Sequence, residues 1–173
     1  FPSYWSTMSS VFYSSTYTEI HGNPDLKPYS YYNVNLMWQI KRRYTLMAFA
    51  SLKPDYSVQL PYQPTDRMAV ILKETNFNYE NSFGLQASAI FGAGKWLNGN
   101  VFAVGIYKHA KSDHFFDLPF NRKKLTAALG GTASIKLCST QDLRVILKPF
   151  VQSKVLQGVY ELSAVFRMSA KLK

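Results

Sequence analysis

The chain has 173 residues and a formal net charge of +10, from 20 Lys and Arg against 10 Asp and Glu. Apolar residues make up 47% and aromatics 16%, but charged residues only 17%, against about 25% in an ordinary soluble domain. This composition excludes intrinsic disorder. A single cysteine, Cys138, excludes a disulfide scaffold, and no window approaches the roughly 18 uninterrupted apolar residues of a membrane-spanning helix.

Phe1-Pro2-Ser3-Tyr4-Trp5 carries neither an initiator Met nor a basic stretch leading into an apolar one, and Ala170-Lys171-Leu172-Lys173 continues a strand-like alternation without a closing turn. Such ends are expected of a portion of a longer protein. Between them the dominant period is two. Tyr32, Val34, Leu36, Trp38 and Ile40 alternate with Asn33, Asn35 and Gln39. Tyr44–Leu52 is strand-like but less strict. Phe83, Leu85, Ala87, Ala89 and Phe91 alternate with Gly84, Gln86 and Ser88. Val101–Lys111 again has apolar residues on both faces. Leu125 to Leu137 and Leu143 to Leu147 alternate cleanly, and from Tyr160 to Leu172 every second residue is apolar. Alternation of this length indicates half-buried strands longer than the usual five or six residues. No segment shows a convincing helical stripe.

The connections alternate in length. Lys41-Arg42-Arg43, Gly92–Asn100 and Ser139–Asp142 are compact. Lys53 to about Thr75, with three prolines, and Ser112–Asn121 are long, and Lys154–Gly158 is modest. In an antiparallel meander every second connection lies at the same end, so short turns gather at one end and long loops at the other. That asymmetry, with apolar–polar alternation, is the pattern of an outer-membrane barrel. Trp38, Tyr44, Phe91 and Trp96 fall near the short turns. Tyr31, Tyr32, Phe77, Tyr79, Tyr107, Phe150 and Tyr160 fall toward the loops, as two interfacial belts require. The expected fold is therefore all-β: an antiparallel meander of about seven long strands forming part of a transmembrane β-barrel. Residues 1–173 read as one barrel segment, with 1–30 as an extracellular-side loop and turn region and 31–173 as strands. The alternative is a soluble β-sandwich or cup, which also alternates but has shorter strands and a more charged surface.

Residues 22–28 read Gly-Asn-Pro-Asp-Leu-Lys-Pro, a turn by its chemistry. The heptad resembles the G-N-P-x-L-x-P signature of TonB-dependent receptors and related outer-membrane barrels, carried here by Gly22, Asn23, Pro24, Leu26 and Pro28. Phe1-Pro2-Ser3-Tyr4, Tyr79-Glu80-Asn81 and Gln157–Leu162 are similar to Bacteroidetes-type members. Tyr29 departs from the glutamate usual after the second proline, and no plug or TonB box is present. The resemblance implies an outer-membrane location, a plug outside this segment, coupling through that plug to an inner-membrane energy-transducing protein, and uptake of a nutrient. Outer-membrane lipid and lipopolysaccharide are the implied surroundings. A non-transport barrel, structural or secretion-related, is the alternative within the same fold.

Catalytic chemistry is not expected. Gly92–Gly99 superficially resembles a phosphate loop but lacks the Gly-Lys-Ser/Thr ending. His109, Asp113, His114 and Asp117 match no structural zinc spacing and read as a solvated loop. No G-x-S-x-G elbow occurs, His21 stands beside a turn, and Cys138 reads as a packing residue. No cofactor is implied. The basic residues are scattered rather than interleaved with aromatics on one strand face, so no nucleic-acid partner is expected. Arg144, Lys148, Arg167 and Lys171 all fall on polar faces, where they would line a lumen. The expected ligand contacts are loop residues: Asp55, Tyr56, Tyr62, Asp113, Phe115, Phe116 and Asp117.

Overall fold

The computed structural model describes residues 3–116, 118–137 and 143–173, apart from the side chain of His114. After one helical turn, α1 (Tyr4–Thr7), the described chain is built of strands. In order these are β1 (Val11–Ser15), β2 (Thr18–His21), β3 (Tyr32–Ile40), β4 (Tyr44–Pro54), β5 (Ser57–Tyr62), β6 (Val70–Asn76), β7 (Tyr79–Ala93), β8 (Leu97–Phe115), β9 (Leu118–Lys136), β10 (Arg144–Gln152), β11 (Val155–Gln157), β12 (Tyr160–Leu162) and β13 (Val165–Leu172). Seven of them form one sheet in the order β13-β10-β9-β8-β7-β4-β3. This is the expected meander, interrupted by β5–β6 and by the β11–β12 hairpin.

Residues Asn33–Ala50, Ser82–Lys108 and Lys124–Lys173 form one compact unit. Its register fixes two unlike faces, because directly opposed residues share a face. Val145, Leu147, Pro149 and Val151 of β10 oppose Leu172, Ala170, Met168 and Phe166 of β13. Across the other edge, Val145, Leu147 and Val151 oppose Ile135, Ala133 and Leu129 of β9. This apolar face lies open: Leu36 is 69% exposed, Leu125 67% and Phe166 72%. An open apolar face of this extent is unfavourable in water and is stabilised in a bilayer. Trp38, Tyr44 and Trp96 are exposed at the short-turn end, and Tyr32, Tyr107 and Tyr160 are exposed as well.

The opposite face carries Arg144, Ile146, Lys148, Phe150 and Gln152 of β10 with Lys171, Ser169, Arg167 and Val165 of β13. Phe150 therefore belongs to this face and not to an aromatic belt, and its ring sits 6.5 Å from that of Phe102. A Cβ on Gly130 would meet the Phe102 ring at 2.7 Å and the Phe150 ring at 3.1 Å. The missing side chain makes room for both rings.

The short turns follow their residues. Lys41 and Arg42 both have positive φ, at 49° and 54°, and the Arg43 N–H donates to the Ile40 carbonyl at 3.1 Å. This is the type I′ geometry whose twist matches a hairpin. The Gly-rich segment is likewise a hairpin: β7 ends at Ala93, β8 begins at Leu97, and Gly94 supplies a φ of +57°. The expected turn at Ser139–Asp142 and the packing role of Cys138 lie outside the described residues.

Residues Phe1–Tyr32, Ser51–Asn81 and His109–Lys123 form the other unit. It holds a four-stranded sheet in the order β1-β2-β6-β5, with β2 and β6 parallel. Its core is Leu26, Leu60, Ala69, Ile71, Phe77, Ala110 and Phe115. Phe77, 1% exposed, is thus a core residue and not a belt aromatic.

Four expectations are corrected here. The long excursion after Lys53 contains two paired strands, β5 and β6. Its prolines hid them, yet Pro61 is tolerated because β5 is an edge strand. The stretch read as a loop at Ser112–Asn121 is mostly strand, since β8 runs to Phe115 and β9 starts at Leu118. The alternation from Tyr160 to Leu172 is not one strand: β12 pairs with β11, and β13 pairs with β10. Finally, the segment before Tyr32 contains the β1–β2 hairpin.

Candidate functional site

The heptad explains itself in atoms. The Gly22 N–H donates to the Ser10 carbonyl at 3.0 Å and the Asn23 N–H to the Ser6 carbonyl at 2.6 Å. That close approach leaves no room at residue 22, where a Cβ would overlap the Met8 carbonyl oxygen. Asn23, 9% exposed, uses both ends of its amide. Its Nδ2 donates to the Glu74 carbonyl at 2.9 Å, and its Oδ1 accepts from the Asp25 N–H at 3.3 Å. Leu26 enters the core. Just beyond, the Lys27 N–H donates to Asn76 Oδ1 at 2.8 Å. Asn76 Nδ2 donates in turn to the carbonyls of Lys27, at 2.9 Å, and Asp55, at 2.6 Å. The motif thus clamps α1, β6 and the β4–β5 turn together. Pro24 and Pro28 restrict φ at either side of the clamp.

Most of the expected ligand-contact residues converge in this same unit. Asp55 occupies the β4–β5 turn with φ +51°, and Phe116 follows β8 with φ +45°. The rings of Tyr62 and Phe116 stack at 4.3 Å with an interplanar angle of 11°. Phe116 meets Phe115 edge-on at 5.0 Å. Phe115 itself is 3% exposed and packs against Phe77 and Phe120, so it supports the cluster from within. Tyr56 lies edge-on to Tyr29 at 5.5 Å. Asp113 Oδ2 accepts from Asn78 Nδ2 at 2.6 Å, and its Oδ1 pairs with Lys111 Nζ at 3.2 Å. Asp117 and the side chain of His114 lie outside the described residues.

Two constellations were not visible in sequence. Lys53 Nζ pairs with the buried carboxylate of Glu80 at 3.1 Å and lies 4.5 Å from the Tyr56 ring centroid and 5.6 Å from that of Tyr31. Burial, then the Glu80 charge, raises the Tyr56 phenol above its ordinary value of 10.0, so it stays a neutral hydrogen-bonding group. Glu19 accepts from Arg67 at 3.0 Å and contacts His21 at 2.7 Å. Apart from His21–Glu19 and Lys53–Tyr56, the partners are far apart in the chain, so no local spacing signals them. His109 contacts Asn121 Oδ1 at 2.7 Å and the Tyr79 hydroxyl at 3.3 Å. Among the described residues no three His, Cys, Asp or Glu side chains gather to hold a metal ion.

The family model of the outer membrane protein beta-barrel family matches residues 1–173, and the chain belongs to that family. Its place is the bacterial outer membrane, in agreement with the open apolar face and the strand lengths. This sets aside the soluble β-domain. No curated protein and no solved structure matched the chain.

Proposed function

We propose that the chain supplies barrel wall and extracellular-side loops to a TonB-dependent receptor-like importer of a nutrient. The observation that carries this reading is the heptad: Gly22 and Asn23 tie α1 to β6, and the adjoining Lys27 bonds Asn76, which holds the β4–β5 turn. A clamp of that kind holds a ligand-facing surface in shape. Asp55, Tyr56, Tyr62, Asp113 and Phe116 are the contacts we assign, stacking and hydrogen-bonding a polar ligand with ring or sugar character. β3 and β13 each pair on one side only among the described residues. Hydrocarbon offers no partner for the free edges, so further strands outside these residues complete the wall. The partners are outer-membrane lipid and lipopolysaccharide around the wall and an inner-membrane energy-coupling protein acting through a plug. The segment itself performs no catalysis, needs no cofactor and binds no nucleic acid.

The test is nutrient uptake by cells carrying the full-length protein, with and without the energy-coupling protein. Loss of uptake when the coupling protein is removed, and its weakening by Tyr62→Ala with Phe116→Ala, is the expected result. Uptake equal to that of cells lacking the barrel would leave a structural or secretion role instead.

A further inference from the structure

Charge is divided unevenly between the two units. The unit of Asn33–Ala50, Ser82–Lys108 and Lys124–Lys173 holds thirteen of the chain's 20 Lys and Arg but only Asp142 and Glu161 of its 10 Asp and Glu. The other unit is close to balanced. The excess is also placed. On the polar face, Ile146 opposes Lys171, Lys148 opposes Ser169, and Phe150 opposes Arg167. On the other side of β10, Ile146 opposes Ser134 and Phe150 opposes Gly130, which sets Thr132 beside Lys148 in the same register. Lys148 is therefore flanked diagonally by Arg167 and Lys171 on β13, at about 7–8 Å, within reach of long side chains. The hydroxyls of Ser169 and Thr132 lie on either side of it.

Like charges at this separation repel one another. Glu161 is the one carboxylate of this unit among the described residues, and it is engaged elsewhere, by Lys124 at 2.8 Å and Lys154 at 3.6 Å. Charged groups at membrane depth face water or a counter-charge. We infer that Lys148, Arg167 and Lys171, with the Ser169 and Thr132 hydroxyls, form an oxyanion site on the lumen face that takes a phosphate- or sulfate-bearing solute. Arg167 supplies a planar fork for two oxygens and the lysines supply point charges. The hydroxyls donate to the remaining oxygens. Lipid phosphates are excluded as the ligand by geometry, since these side chains share the face opposite Phe166, Met168 and Leu172. This inference deepens the proposed uptake role by naming a substrate class, and it rests on that reading for its physiological meaning, but binding is measurable without transport.

The experiment titrates the full-length protein in detergent with inorganic pyrophosphate, by calorimetry at about 0.15 M salt, and separately with lipopolysaccharide micelles. The variant Lys148→Gln/Arg167→Gln/Lys171→Gln is compared with Lys41→Gln/Arg42→Gln/Arg43→Gln, which removes the same charge from a turn. Heat-modifiable gel mobility confirms that both are folded. Saturable pyrophosphate binding, kept by the turn variant and weakened at least about tenfold by the lumen variant, is expected. Equal affinity in wild type and the lumen variant, no saturable binding in wild type, or lipopolysaccharide binding that depends on these three residues would overturn the assignment. Pyrophosphate binding without coupled uptake would overturn the importer reading and leave the site standing.

Discussion

Replacing Asn23 tests the clamp most sharply. In Asn23→Ala two side-chain hydrogen bonds disappear, one to the Glu74 carbonyl and one from the Asp25 N–H. Each contributes about 0.5–1.5 kcal/mol, and a part-buried carbonyl left without its donor costs about 1–3 kcal/mol. The sum is a local destabilisation of about 2–6 kcal/mol. Asn23→Asp separates two explanations. If residue 23 served only as a turn former, aspartate would replace it well, because both side chains accept from the residue two positions on. The clamp needs the amide N–H as well, and a carboxylate facing the Glu74 carbonyl is repelled. Hydrogen exchange of the full-length protein in detergent, followed over Val70–Asn76, is the assay. Both variants are expected to lose protection by about 30-fold or more, the equivalent of 2 kcal/mol. Wild-type protection in Asn23→Asp would refute the clamp.

Three further outcomes are expected. Lys41→Asn with Arg42→Gly places turn-forming residues where φ is 49° and 54°, and should stabilise the β3–β4 hairpin by about 1–2 kcal/mol in urea unfolding; no gain would argue against the type I′ geometry. Thr75 is buried and its hydroxyl has no hydrogen-bond partner, so Thr75→Val should be neutral or stabilising by up to about 1 kcal/mol, and a marked loss would reveal a hidden partner. The Lys124 hydrogen bond, then the Lys124 and Lys154 charges, holds the Glu161 carboxyl below its ordinary value of 4.5. A lowered folded pKa stabilises above the unfolded value and is lost as pH falls through the folded one. Acid exchange protection of the β11–β12 hairpin should therefore decline below about pH 4.5 in wild type and follow a flat profile in Glu161→Gln; identical profiles would remove Glu161 from the account.

The long strands were legible because a face in lipid and a face in water impose strict alternation, and Tyr32–Ile40 matches β3 residue for residue. The same rule misled at Tyr160–Leu172, where apolar alternation persists across a break that only the pairing of β12 with β11 reveals. β5 is not legible because Pro61 reads as a breaker unless the strand is known to be an edge. Position along the chain alone places Phe77 and Phe150 in the aromatic belts. Burial in one case and register in the other decide otherwise, and neither is local information. Within the candidate site, the turn chemistry of Gly22 and Asn23 was readable. Their partners, Met8 and Glu74, were not, because the contacts close loops of 14 and 51 residues. The cationic face was visible residue by residue, while the clustering of Lys148 with Arg167 and Lys171 needed the strand pairing.

The two-faced sheet is the centre of this account, and adjacent residues of β13 test it directly. Spin labels are placed singly at Met168 and Ser169 in full-length protein with Cys138→Ser, in outer-membrane vesicles, and their collision rates with oxygen and with a water-soluble nickel chelate are measured. The account predicts that the label at residue 168 favours oxygen, as in hydrocarbon, and that the label at residue 169 favours the nickel chelate, as in a water-filled lumen. Equal nickel accessibility at both positions would contradict a strand with one face in the bilayer.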